Sequence, residues 1–145
     1  MSEIKKDGVL YAVVLKKELI PHGNKWYGEP TDTLQLLSRK MTTPRKISKK
    51  MMETGYAYLK PHSHKKIMRS VEETQECFIV IVGSVIAMVY DDENKKIEDI
   101  KLGAGDCVVF YRGGHGYKVI SNNLIAYEIK AGKFVDDKIM IGGTD

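Results

Sequence analysis

At 145 residues the chain is long enough for one domain with its own buried core and needs no second one. Its two cysteines lie outside any Cys-x-x-Cys spacing and the N-terminal residues lack an apolar leader core, so a cytosolic protein with reduced thiols is expected; the longest apolar run, 77–90, is broken by Gly83 and Ser84 and falls short of the roughly 18 to 20 residues of a membrane helix. The net charge of +4 is uneven, with 15 Lys/Arg against 6 Asp/Glu up to residue 70 and 8 against 13 beyond it. The basic cluster Arg39, Lys40, Arg45, Lys46, Lys49 and Lys50 has no interleaved aromatics, which speaks against nucleic acid and leaves a solvated rim or a face for a small anionic ligand.

After a polar start, Val9–Leu15 reads as a buried strand, rich in β-branched residues and too short for a helix. Residues 20–32, with Pro21, Gly23, Gly28 and Pro30, form an irregular connection that carries His22 and Trp26, the latter expected to plug a barrel or a dimer seam. A second strand is expected over 34–41 and a turn around Pro44. From Gly55 onward the pattern is β throughout, with strands at 56–64, 77–82 and 85–90, a hairpin tip at 91–94, and a strand through Ile97, Ile100 and Leu102. A turn at 103–106 leads into 107–111, and the glycine-dense turn 112–116 holds His115. Strands at 117–120 and 124–130 follow, split by Ser121, Asn122 and Asn123. Eight to ten short strands without a helical period predict an all-β jelly roll or related β-barrel whose interior holds one ligand. The expected organisation is a single domain with an N-terminal strand arm (1–50), a core barrel (51–132) and a polar tail (133–145) with one apolar patch at Ile139 and Ile141.

The residues that carry chemistry begin at His62 and His64. Side chains of an extended strand repeat every two residues, so both histidines share a face and can close on one ion. Glu76 and His115 complete a set of three nitrogens and one oxygen, which suits one divalent transition metal (Fe, Mn, Co, Ni or Zn) and leaves a position for water or substrate. Glu72 and Glu73 are alternatives for the carboxylate. Tyr58 and Lys60 share the histidines' face and are the catalytic candidates, the phenol as hydrogen bonder or acid and the ammonium as charge partner; the competing reading has tyrosines filling the barrel and Pro61 turning Lys60 to solvent. Glu128 and Lys130 either point inward as an ion pair or face water, and Cys77 points away from Glu76 into the core.

Together these residues resemble the cupin superfamily over 55–130. Gly55, His62-Ser-His64, Glu76 and, after six residues, Gly83 follow the order of the family's first motif, and Gly105 with the Gly113-Gly114-His115 turn follows its second. The chain departs from the pattern in the eleven residues between His64 and Glu76, in Tyr111 where proline is usual, in His115 falling one residue early, and in Val119 where asparagine often stands. The Gly-Gly-His-Gly turn and the ending Glu128-Ile129-Lys130-Ala131-Gly132 resemble small single-domain bacterial cupins often encoded beside surface-polysaccharide or nucleotide-sugar genes. The resemblance implies a cupin-type jelly roll with a metal at His62, His64, Glu76 and His115. It also implies metal-dependent isomerisation, epimerisation or dioxygenation of a small polar, sugar-like or carboxylate-like substrate. The rival expectations are a metal-free sugar epimerase or isomerase, with His62 and a tyrosine as base and acid, and a non-catalytic sugar-binding or sensor module. A homodimer is expected, its edges covered by Val9–Leu15 and 34–41.

Overall fold

The computed structural model describes residues 2–19, 43–53, 61–64, 75–131 and 138–141. They form strands β1 (Ser2–Lys6), β2 (Val9–Leu15), β3 (Arg45–Ser48), β4 (His62–His64), β5 (Glu76–Tyr90), β6 (Lys96–Gly103), β7 (Cys107–Phe110), β8 (Gly114–Lys130) and β9 (Lys138–Met140), with one short helix α1 (Lys49–Glu53). The chain is all-β. Its strands make one antiparallel nine-stranded sheet with the order β1-β2-β7-β5-β8-β4-β9, in which β3 also pairs with β8 and β6 with β5; among the described residues the path is open. No helix of the described residues is long and apolar enough to cross a membrane. The expected strand 34–41, the loop residues His22 and Trp26, and the candidates Tyr58 and Lys60 lie outside the described residues.

The polar start is itself a strand. Asp7 and Gly8, both at positive φ (51° and 76°), close a two-residue hairpin between Lys6 and Val9, because that turn follows the right-handed twist of the strands it joins. β2 pairs with β1 on one side and β7 on the other, so Val9–Leu15 is an internal strand and not the edge expected to meet a second copy. The outer strand β1 is blunted by Glu3 and Lys5 and by a bulge between Ile4 and Lys5.

Two long strands position everything else. The expected pairs 77–82/85–90 and 117–120/124–130 are the continuous strands β5 and β8, which run through the apparent breaks as bulges between Val80/Val82 and Gly83/Val85. Gly83 takes φ 87°, and a Cβ there would run into the Asn123 carbonyl and the Ser121 hydroxyl. The bulge between Val80 and Val82 moves the inward set from even residues (Glu76, Phe78, Val80) to odd ones (Val85, Ala87, Val89), and the core face is buried on both sides of it. That inner face packs Ala12, Val14, Ile47, Phe78, Val108, Phe110 and Leu124 into one core. Across β2, β5 and β7 the reverse face is buried too, by Val13, Cys77, Cys107, Val109 and Tyr111.

Asp106 locks the β6–β7 turn onto β2. Its Oδ2 accepts from the Gly103 amide (2.8 Å) and the Lys16 ammonium (3.0 Å), and its Oδ1 from the Lys17 amide (2.9 Å). Burial alone would raise its pKa, but these three donors outweigh it and hold the carboxyl below the usual aspartate range. A depressed folded value means stability that is present above pH ~4 and lost as pH falls through that lower value. Asp106→Ala is expected to cost about 1–3 kcal/mol in urea unfolding at neutral pH, with the gap from wild type shrinking on acidification.

Candidate functional site

A line of ionisable side chains crosses the apolar inner face. Glu76 opens β5 and stands in register with Lys130 on β8 and Phe110 on β7, and His115 near the start of β8 stands in register with His62 on β4. Glu76 Oε2 lies 2.7 Å from His115 Nε2, and Oε1 lies 2.6 Å from Lys130 Nζ. All are buried: His62 is 0 % exposed, Glu76 and His115 2 %, and Lys130 7 %. His115 is fixed from two further sides, since Phe110 stacks on it at 4.5 Å and the His62 ring meets it edge-on at 4.8 Å. Charges taken this far from water persist only when paired, and here one carboxylate is held between an ammonium and an imidazole.

The glycines beside His115 explain how β4 reaches it. A Cβ on Gly114 would come within 2.8 Å of the His62 carbonyl, and one on Gly116 within 2.8 Å of the Pro61 nitrogen. Side chains at either position would push β4 away and separate the histidines. The expected turn at 112–116 therefore ends three residues early, and His115 sits on a strand instead of in a corner.

Because β8 begins at Gly114, alternation places Tyr117 on the same face as His115, a position that reading 112–116 as a turn had hidden. Its ring stacks on Phe78 at 4.1 Å, and its buried hydroxyl has no hydrogen-bond partner among the described residues. Burial, then the charges of Glu128 and Glu76, push its pKa well above the ordinary phenol value, so it is a neutral O–H donor at any physiological pH.

Glu128 and Lys130 both point inward, but not as a pair. Lys130 goes to Glu76, while Glu128 Oε1 takes Arg45 at 2.6 Å, across the register pair of β3 and β8. Burial and then the Glu76 charge raise the Glu128 pKa above its ordinary 4.5, with Arg45 pulling the other way. A raised folded value contributes stability fully present below about pH 4.5 and lost as pH rises through the folded value. Glu128→Gln should therefore be more stable than wild type at pH 8 and no more stable at pH 4, measured by urea unfolding at both.

Of the four expected metal ligands, His62, Glu76 and His115 come together. The backbone of His64 lies in β4 opposite Lys138, and its side chain is outside the described residues, as are Glu72 and Glu73. Among the described residues no group of three His, Cys, Asp or Glu is placed to hold a metal ion. Cys77, next to Glu76, faces the reverse side of the sheet, as alternation predicts. In comparisons with known proteins, no family model matches the chain and no curated protein matches it.

Proposed function

We propose that the buried cluster on the inner face is the acid–base site of an isomerase or epimerase acting on a small, hydroxylated, sugar-like or carboxylate-like substrate, on a cupin-type jelly-roll scaffold. The observation that carries this reading is the chain Lys130–Glu76–His115, a carboxylate clamped between a cation and an imidazole inside an apolar wall. With Glu76 accepting the proton on Nε2, the neutral His115 ring carries its lone pair on Nδ1, where it can take a proton from a carbon next to a carbonyl. Glu76 then stabilises the imidazolium that results, the part a carboxylate plays in histidine dyads. Lys130 keeps Glu76 ionised and oriented. Tyr117 donates its hydroxyl hydrogen to the enolate oxygen that develops, and return of the proton to the opposite face or the adjacent carbon completes epimerisation or isomerisation.

A second reading has a specific observation in its favour: two imidazoles, His62 and His115, and the Glu76 carboxylate share one face, the donor types a divalent Fe, Mn, Co, Ni or Zn ion accepts. The described donors do not fit such an ion as they stand, because His115 and Lys130 engage both Glu76 oxygens and no group of three is placed for one.

The test is proton exchange. The full chain, with its metal content measured, is incubated in D2O with a panel of keto-sugars and nucleotide-linked keto-sugars, and C–H loss is followed by NMR. Wild type is expected to exchange one C–H of at least one compound with less than about a tenth of an equivalent of metal, and His115→Ala and Glu76→Gln should slow it by about 10²–10⁴. Exchange that His115→Ala leaves untouched, or that appears only after metal loading, would overturn this assignment.

A further inference from the structure

Behind the acid–base site, on the reverse face of the same strands, the two cysteines of the chain meet. Cys77 on β5 is in register with Val109, and Cys107 on β7 is in register with Ile79, so the two are diagonal neighbours across one strand pair. Both thiols are free, and their sulfurs lie 3.5 Å apart. A disulfide has an S–S bond of about 2.05 Å, so closing it needs roughly 1.5 Å of approach across the β5–β7 pair.

We propose that Cys77 and Cys107 are an oxidative modification site, forming a reversible intramolecular disulfide with a hydroperoxide as oxidant, and that closure disturbs the Glu76 site from the back of β5. The Cys77 sulfur takes one peroxide oxygen: the S–O bond forms, the O–O bond breaks, and water or an alcohol leaves with the thiol proton. The Cys107 sulfur then attacks the sulfenic sulfur, the S–S bond forms, and water leaves with the second thiol proton. Two electrons pass from the two sulfurs to the peroxide, and a small dithiol reverses the step. Both cysteines are buried, 4 % and 7 % exposed, which favours the neighbouring thiol over any other as the partner of the sulfenic acid. Cys77 is the residue after Glu76, so movement of its backbone passes directly to the contacts at 2.6 and 2.7 Å that hold Lys130 and His115. The thiol chemistry stands apart from the proposed acid–base role, and only the coupling depends on the Glu76 cluster.

The folded full chain is treated with hydrogen peroxide and read by thiol count, intact mass and the His115 ring resonances. The expected result is loss of both thiols together, a mass lower by about 2 Da, a monomeric band on a non-reducing gel, and displaced His115 resonances, all restored by dithiothreitol. Cys77→Ser and Cys107→Ala should each abolish the 2 Da loss and the displacement. Two thiols persisting in the folded chain, or gains of about 16 or 32 Da in place of the loss, would overturn the modification site. A disulfide that forms while the His115 resonances stay fixed would overturn the coupling, whatever the outcome of the exchange test.

Discussion

Glu76→Ala is expected to lower folding stability by about 3–5 kcal/mol, read as a fall in the urea midpoint, because it leaves Lys130 buried without its carboxylate and strips His115 of its acceptor. Glu76→Gln should cost less, since the amide fills the same volume and one oxygen can still accept. The informative control is the double variant Glu76→Met, Lys130→Met. Replacing a buried ion pair with apolar groups of similar size is often neutral or stabilising by about 1–4 kcal/mol, so the double variant should recover most of the loss. Such recovery would mean that the ions are not there for folding, and the double variant should then be folded and without C–H exchange. A double variant no more stable than Glu76→Ala would assign the cluster to the scaffold.

Phe110→Ala is expected to cost a further about 3–5 kcal/mol in its own right, as a fully buried aromatic whose removal leaves a cavity under the site. It carries information beyond the core because the ring stacks on His115 at 4.5 Å and sits in register with Glu76. Phe110→Leu keeps most of the apolar volume and should cost no more than about 1.5 kcal/mol. If the aromatic face positions His115, Phe110→Leu will still reduce C–H exchange more than a mild loss of stability explains, with the change in kcat and not in KM.

Much of this arrangement can be read from residue order alone. The apolar alternation and turn chemistry give the β character, and the resemblance directs attention to His62, Glu76 and His115, which the sheet gathers on one face. What stays hidden has identifiable causes. Gly83-Ser84 and Ser121-Asn122-Asn123 look like strand ends, whereas a bulge lets the chain run on with its face reset. Asp7-Gly8 is a strong hairpin signal, but the residues before it are polar, as an edge strand's often are, and show no apolar alternation. Lys130 could be read as inward or outward from spacing; only its register with Glu76 decides between them. A glycine turn that runs to Gly116 hides the pairing of Tyr117 with His115, whereas a strand from Gly114 puts residues 115 and 117 on one side. The short helix α1 has too few residues to show a period, and its Lys, Met and Glu content is the only cue.

His115 belongs either to Glu76 or to a metal. The direct measurement is 15N NMR of the histidine rings in the full chain, recorded metal-free and again with one equivalent of Zn²⁺. Pairing with Glu76 gives His115 a hydrogen-bonded Nε2 proton that is lost in Glu76→Ala and unmoved by zinc. Stoichiometric zinc uptake that strips the Nε2 proton and shifts the His62, His64 and His115 rings together would contradict it.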